Sequence, residues 1–295
     1  MNLGRAKSIL IIAFIGLNIF LGYNLFWPDF GRLTRVAVTA EEIRITEAML
    51  NENNYFLETT LDRAIQTSDF LTVAPASDLQ KKIEKRLVEE NASVTVDESS
   101  KTYSREGQVL IFDSSGLIRV MFEPGVFLAE RSINLEQREI RSKVEQLLKE
   151  EQLMPEEIMF DYMEYIEPEG IILHYYQVHE NLPIYSGQLE VVIDLDRLKE
   201  VRIYWLEPLV RSPVREMEII SATDALSNLV RELGPSSVPR RVKQIDLGYI
   251  SWEYDAEKWE IPPVWRIVLD GQQLYFINAF TGNLEQNNII PEQLP

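Results

Sequence analysis

The spacing of hydrophobic and polar residues changes several times along the chain, and the first change is the sharpest. Residues 8–27 form an apolar run without a single charged side chain. Because a helix rises about 1.5 Å per residue, a helix over this run is about 30 Å long, the thickness of a bilayer's hydrocarbon core. We therefore predict a transmembrane helix at residues 8–27, preceded by a short cytoplasmic stub at residues 1–7.

Charges at the two ends of this run bear on its orientation. Arg5 and Lys7 precede it, which favours a cytoplasmic N-terminus, while Arg32 and Arg35 lie just beyond its other end. No small-residue cleavage pattern follows the run, so we expect the helix to be retained. The prediction is a single-pass protein of the cell membrane, with the bulk of the chain outside the cytoplasm.

After the predicted anchor, the hydrophobic pattern switches between two periods. Helical spacing indicates helices at about residues 40–50, 77–90, 135–151 and 222–233. Alternating or continuous apolar segments indicate strands at about residues 93–96, 108–112, 117–122, 158–166, 170–178, 187–194, 199–206, 241–254, 263–270 and 273–279. We predict an α+β fold with two modules of antiparallel sheet packed with helices, one at residues 28–130 and one at residues 131–295.

Capping residues mark the ends of two of these helices. Thr39 with Glu42, and Ser221 with Asp224, have the spacing at which a side chain caps the first turn of a helix. Gly234 follows the helix at 222–233 and predicts a left-handed cap at its C-terminal end. The bounds of this helix are therefore the best defined in the sequence.

Charge and cysteine content exclude several classes of function. The chain has 47 acidic residues against 29 basic residues, with a formal net charge of −18, and no acidic residue lies in the first 27 positions. A field of this sign repels phosphate backbones, so we predict no binding to nucleic acid. The chain has no cysteine, which excludes disulfides, thiolate metal sites and cysteine nucleophiles.

Candidate catalytic and metal-binding residues are few. The two histidines, His174 and His179, are five positions apart on a predicted strand, so we expect them on opposite faces. Asp194, Asp196 and Glu200 lack the glycine and the full ligand series of a calcium-binding loop, so we interpret them as a solvated turn. Common hydrolase and nucleotide-binding motifs are absent from the sequence. We predict no catalytic, cofactor-binding or metal-binding residue and no enzyme activity.

Aromatic residues are concentrated in the second half of the chain. They have two interpretations, a ligand-binding groove on one sheet or ordinary packing in the core and between strands. The residues concerned are Tyr175, Tyr176, Tyr204, Trp205, Trp252, Trp259 and Trp265.

A polar residue interrupts the middle of the predicted transmembrane helix. The side-chain amide of Asn18 is costly in hydrocarbon unless it forms a hydrogen bond, and a neighbouring helix can supply the partner. Gly16 and Gly22 would let another helix approach closely, although their spacing does not form a G-x-x-x-G face. We predict that Asn18, Gly16 and Gly22 contact a partner helix; the alternative is that Asn18 faces lipid or bonds to its own backbone.

Two segments resemble known families. Residues 4–23, GRAKSILIIAFIGLNIFLGY, resemble the start of YycI, which belongs with YycH to a group of membrane-anchored regulators of the WalK (YycG) sensor histidine kinase. Residues 263–284, PVWRIVLDGQQLYFINAFTGNL, resemble the terminal hairpin of PepSY-like modules.

These resemblances carry different functional implications. The first implies a non-enzymatic, cofactor-free regulator that associates with a YycH-like protein and a WalK-like kinase through transmembrane and extracytoplasmic contacts, in control of cell-wall metabolism. The second leaves open an exported binding or inhibitory module that acts on a peptidase or a cell-wall ligand. A hydrolase of the cell envelope with unrecognised carboxylate catalysis is a third interpretation.

Overall fold

The computed structural model describes residue 14 and residues 37–64, 67–89, 92–128, 137–167, 170–209, 217–250 and 256–285. Among these residues, no helix is both long and apolar enough to cross a membrane. The predicted transmembrane helix at residues 8–27 lies outside the described residues, apart from residue 14. The anchor and its orientation therefore stay predictions.

Strands dominate the described residues, and four α-helices accompany them, which confirms the predicted α+β class. The helices are α1 (Ala40–Glu52), α2 (Ser77–Glu89), α3 (Gln137–Glu150) and α4 (Ala222–Leu233), with a 3-10 turn at Asp270–Gln272. The strands are β1 (Tyr55–Leu57), β2 (Thr67–Ser68), β3 (Leu71–Pro75), β4 (Ser93–Val96), β5 (Ser100–Arg105), β6 (Gln108–Asp113), β7 (Ile118–Phe127), β8 (Ile158–Ile166), β9 (Gly170–His179), β10 (Leu182–Asp194), β11 (Arg197–Tyr204), β12 (Leu206–Pro208), β13 (Met217–Glu218), β14 (Arg240–Tyr249), β15 (Trp259–Ile261), β16 (Pro263–Leu269) and β17 (Gln273–Asn278).

The first turns of α1 and α4 are capped as the sequence predicts. The hydroxyl of Thr39 accepts a hydrogen bond from the backbone N–H of Glu42 at 3.2 Å. The hydroxyl of Ser221 accepts one from the backbone N–H of Asp224 at the same distance. The bounds of α4 agree with the prediction. The predicted left-handed cap is wrong, because Gly234 combines φ 73° with ψ −178°. Glycine tolerates this positive φ, but the chain leaves the helix in an extended direction.

A twelve-stranded sheet forms the centre of the described structure. Eight strands, in the order β8-β9-β10-β11-β7-β6-β5-β4, pair antiparallel, and we call them the eight-strand run. The remaining strands, β14, β16, β17 and β1, join this run at β10, where Ile184 pairs in parallel with Tyr249 of β14. Two small sheets, β12-β3-β15 and β13-β2, lie beside it.

Two hydrophobic cores hold the helices against the sheet. In the first core, α2 and α3 pack on the eight-strand run, and Val144 and Leu148 of α3 are buried. In the second core, α1 and α4 pack on β14, β16 and β17, with Leu50 and Leu226 buried. Each core draws residues from both sides of position 130, and β7 pairs with β11 across it. The described sheet therefore continues past the predicted boundary, and the division into two domains stays a prediction.

A bulge in β10 lies where this strand exchanges β11 for β14 as its neighbour. Residues 185–187 have no pairing partner in β9. Gln177 of β9 fills the space beside them and exchanges two hydrogen bonds with the backbone of Leu206. A Cβ atom on Gly187 would overlap the side chain of Gln177, so the bulge requires glycine at this position. The bulge brings the ring of Tyr185 against the β16–β17 hairpin.

Candidate functional site

The candidate site lies on the face of the eight-strand run that is opposite the first core. Strand β9 shows how alternation separates the two faces. Leu173 and Tyr175 belong to the first core, so the intervening His174 and the following Tyr176 lie on the other face. Polar and charged side chains gather on this outer face where β8, β9, β10 and β11 are paired.

Strand register places five charged or titratable residues next to one another on the outer face. His174 pairs with Glu190 of β10, and Glu190 pairs with Arg202 of β11. Glu164 of β8 and Glu200 of β11 contact the two ends of this group. We call Glu164, His174, Glu190, Arg202 and Glu200 the charged row.

Direct contacts link all members of the charged row. His174 Nε2 is 3.0 Å from Glu164 Oε2, and His174 Nδ1 is 3.4 Å from Glu190 Oε1. Arg202 Nη1 is 3.5 Å from Glu190 Oε2. Arg202 also donates two hydrogen bonds to Glu200, from Nη2 at 2.9 Å and from Nε at 3.0 Å.

Burial makes these contacts necessary rather than incidental. The side chain of Glu190 is only 3% exposed, and that of His174 is 11% exposed. An unpaired buried carboxylate costs several kcal/mol, and nearby cations offset this cost only when the geometry holds them in place. Glu190 therefore depends on His174 and Arg202, one on each neighbouring strand.

The protonation of His174 responds to this environment. Burial alone lowers the pKa of His174, because the charged imidazolium loses contact with water. Glu190 and Glu164 act in the opposite direction, and together they raise the pKa of His174 above its ordinary value of 6.5. The carboxylates thus favour an imidazolium in the charged row.

A cleft opens beside the charged row, between strands β8–β10 and the β16–β17 hairpin. Its volume is about 450 Å³, including the part of its mouth that is open to solvent. Aromatic rings form much of its wall, and carboxylates and a guanidinium lie among them. The residues that matter most for its chemistry are Asp161, Tyr176, Tyr185, Glu190, Arg266 and Phe276.

Arg266 is the central charge of the cleft. It lies on β16, all seven residues of which are buried, and its own side chain is 2% exposed. Its Nη2 donates to Asp161 Oδ2 at 2.6 Å, and its guanidinium carbon lies 4.9 Å from the centre of the Tyr185 ring. Burial lowers the pKa of Arg266, but Asp161, Tyr185 and Asp246 together outweigh burial and raise this pKa above its ordinary value. Arg266 is therefore a permanent buried cation.

Tyrosines around the cleft remain protonated at neutral pH. Tyr162 stacks on His174 with 4.3 Å between ring centres, and burial, followed by the charge of Glu164, raises the pKa of Tyr162 to about 12. Burial also raises the pKa of Tyr185 well above its ordinary value. Among the described residues, no group of histidine and acidic side chains is arranged to hold a metal ion. The groups that the cleft presents are suited to recognition by hydrogen bonding and aromatic contact.

The residues that the sequence indicated as candidates for binding do not lie together in the structure. Asn18, Gly16 and Gly22 lie outside the described residues, so their predicted contacts with a partner helix stay predictions. Tyr176 lines the cleft, as one interpretation of the aromatic residues proposed. Trp265 packs in the second core instead and donates a hydrogen bond to a backbone carbonyl.

His174 had no predicted role, and its partners were not identified from the sequence. A signal was present, because Glu190 and Arg266 each interrupt a run of apolar residues within a strand. A charge in such a position is costly to bury without a partner. The sequence pattern indicates that partners exist, but it does not indicate which strands supply them.

The solved structures that are similar to this chain include the following two. One is an uncharacterized protein from Eubacterium rectale ATCC 33656, with 12% sequence identity and a TM-score of 0.48 over 79% of this chain and 89% of that chain. The other is YycH from Bacillus subtilis, with 15% identity and a TM-score of 0.43 over 75% of this chain and 54% of that chain.

Comparison of sequences gives a more specific result. No curated protein matches the chain. The YycI protein family, however, matches residues 35–280, which is well over half of the chain and includes the charged row and the cleft. The protein therefore belongs to the YycI family.

Proposed function

We propose that this protein is a non-enzymatic, membrane-anchored regulator that binds and modulates a WalK-like sensor histidine kinase together with a YycH-like partner, in control of cell-wall metabolism. Membership of the YycI family, a regulatory family, is the observation that supports this proposal. The N-terminal resemblance at residues 4–23 supports the same assignment, and it lies outside the segment that the family match covers.

The charged row fits a role in recognition. Glu164 and Arg202 present side chains that are 48% and 31% exposed, while the more deeply buried Glu190 and His174 hold them in register. A regulator of this kind acts by differential binding, because contacts that favour one state of a kinase raise the population of that state. Contacts made equally well with both states would leave their populations unchanged.

Reconstitution in lipid vesicles tests this proposal. We expect the full-length protein to co-purify with a WalK-like kinase and a YycH-like protein and to change the rate of kinase autophosphorylation. Asn18→Leu should weaken co-purification, because it removes the amide at the middle of the predicted helix. Asn24→Leu, nearer the membrane surface, is the matched control. Absence of both co-purification and any change in autophosphorylation would contradict the proposal.

Membrane topology is a separate part of the proposal and has its own test. The chain contains no cysteine, so a single introduced thiol reports on one position only. In intact cells, a membrane-impermeant maleimide should label Asp194→Cys, at the exposed end of β10 next to the turn to β11. Asn2→Cys, in the cytoplasmic stub, should be labelled only after permeabilisation. The reverse pattern would show that the orientation is wrong.

A second candidate function is an exported PepSY-like module that binds or inhibits a peptidase or binds a cell-wall ligand. The observation that favours it is the β16–β17 hairpin, which carries the PepSY-like sequence and supplies Arg266 and Phe276 to the cleft. Inhibition of an envelope peptidase by the purified protein, without any effect on the kinase, would favour this candidate over the first.

A further inference from the structure

We infer that the cleft beside the charged row is a binding site for a small uncharged amide, specifically an acetamido group carried by a larger molecule. This inference does not depend on the kinase or on the YycH-like partner. It rests on two buried polar atoms of the cleft that lack hydrogen-bond partners, on the balance of charge around them, and on the apolar surfaces beside them.

The first observation concerns Arg266 and Tyr185. Arg266 is 2% exposed and Tyr185 is 4% exposed, and both side chains line the cleft. Arg266 Nη1 and the hydroxyl of Tyr185 have no hydrogen-bond partner within the protein. Buried polar groups are nearly always bonded, so two adjacent groups of this kind point to an oxygen acceptor that both can reach. A carbonyl oxygen, with two lone pairs, can accept from an N–H and an O–H together.

The second observation concerns charge, and it selects a neutral ligand. Asp161 already neutralises Arg266 through the bond to Nη2, and the carboxylates of Asp246 and Glu190 lie near. A ligand with a carboxylate or phosphate would have to compete with Asp161 for Arg266 and with Glu190 for His174. A cationic ligand would have to displace the buried guanidinium of Arg266 from the same carboxylates. A neutral amide meets neither obstacle.

The third observation concerns the apolar wall. Phe276 and Leu274 of β17 lie beside Tyr185, and the rings of Tyr185 and Phe276 are 5.5 Å apart. An acetamido group presents a methyl to such a surface. Its carbonyl oxygen can accept from Arg266 and Tyr185, and its N–H can donate to a carboxylate of the cleft. The enclosed part of the cleft is much smaller than its open mouth, so it has room for the end of one small group rather than for an extended chain.

Isothermal titration of the detergent-solubilised, full-length protein tests this inference. The amide probes are N-acetylglucosamine and N-acetylalanine methylamide, which carry the same acetamido group on a sugar and on a peptide. Acetate and glucose serve as the charged and amide-free controls. We expect saturable binding of at least one amide probe and none of either control, and the amide that binds more tightly identifies the source of the group.

A matched pair of variants locates the binding. Tyr185→Phe removes only the hydroxyl that faces the ligand, so the dissociation constant should rise about fivefold, as expected for the loss of one hydrogen bond. Tyr103→Phe makes the same change at a buried tyrosine in the first core and should leave binding unchanged. The inference is overturned if neither amide binds, if acetate binds as tightly as the amides, or if both variants bind like the wild type.

Discussion

On β10, Glu190 and Val191 are neighbours in sequence and both are buried, yet they face opposite sides of the sheet. Val191 is stabilised by any apolar neighbour of suitable shape, because hydrophobic contact has no direction. Glu190 is stabilised only by His174 and Arg202, at specific distances and on specific strands. On the inner face, the free energy of unfolding should therefore fall in proportion to the apolar volume that a substitution removes. On the outer face, removal of a single charged partner should lower it by a large amount.

The largest effect is expected where a buried charge loses its partner. Asp161→Leu leaves the guanidinium of Arg266, at 2% exposure, without its hydrogen-bonded carboxylate. Removing one member of a buried ion pair typically costs about 3–5 kcal/mol, and we expect a loss of this size in urea unfolding of the detergent-solubilised protein. The double variant Asp161→Leu with Arg266→Met should recover much of the loss, because neither member of this ion pair is left without its partner. A double variant as unstable as the single one would contradict this explanation.

The next largest effect is expected from replacing valine with alanine on the inner face of β10, compared with the same change on its outer face. Val191 is fully buried in the first core, and Val192 is half-buried on the outer face. Val191→Ala should cost about 2–3 kcal/mol, from lost burial and the cavity that remains. Val192→Ala should cost less than about 1 kcal/mol, because its environment can relax and is partly solvated. Equal losses in urea unfolding would show that the outer face is packed as tightly as the inner one.

These two faces were not equally predictable from the sequence. Alternation along β10 and helical spacing along α3 indicate the residues of the first core, and capping residues fix the bounds of α4. These are local signals, each contained within one element. The strands that were missed are β1, β2, β3, β5, β13 and β15. Strand β5 reads Ser-Lys-Thr-Tyr-Ser-Arg, whose polarity gives no apolar strand signal.

Partners across the sheet were not predictable at all. Asp161 and Arg266 are 105 positions apart, and β1 pairs in parallel with β14 although about 180 positions separate them. Arg266 is visible in the sequence as one charge within Val-Trp-Arg-Ile-Val-Leu. Its partner Asp161 lies at a register shift between β8 and β9, and the two residues meet through the packing of the terminal hairpin. The site therefore depends on tertiary structure, whereas the cores depend mainly on local pattern.

A third effect follows from the raised pKa of His174. The folded protein holds the imidazolium proton more tightly than the unfolded chain does, so this group stabilises the fold at pH values below about 6.5. That contribution is lost as pH rises through the folded pKa. The free energy of unfolding should fall over this window with a slope of at most about 1.4 kcal/mol per pH unit from this histidine.

Substituting each histidine in turn shows which side chain causes the dependence of the free energy of unfolding on pH. His174→Gln should remove the contribution, and His179→Gln, the same change at the end of β9, is the matched control. Urea unfolding at closely spaced pH values measures both variants. A slope that survives in His174→Gln, or that both substitutions reduce equally, would show that it does not come from the charged row.

The smallest effect is expected at Glu164, one of the two acids that flank His174 in the charged row. Glu164 and Glu190 both contact the imidazole, but their side chains are 48% and 3% exposed. Glu164→Gln should change the free energy of unfolding by less than about 1 kcal/mol, because water screens this contact and the amide oxygen can still accept from His174. Glu190→Gln should cost more, since the buried amide cannot balance both His174 and Arg202. If the two substitutions lower the free energy of unfolding equally, then burial does not determine how much a carboxylate on the outer face contributes to stability.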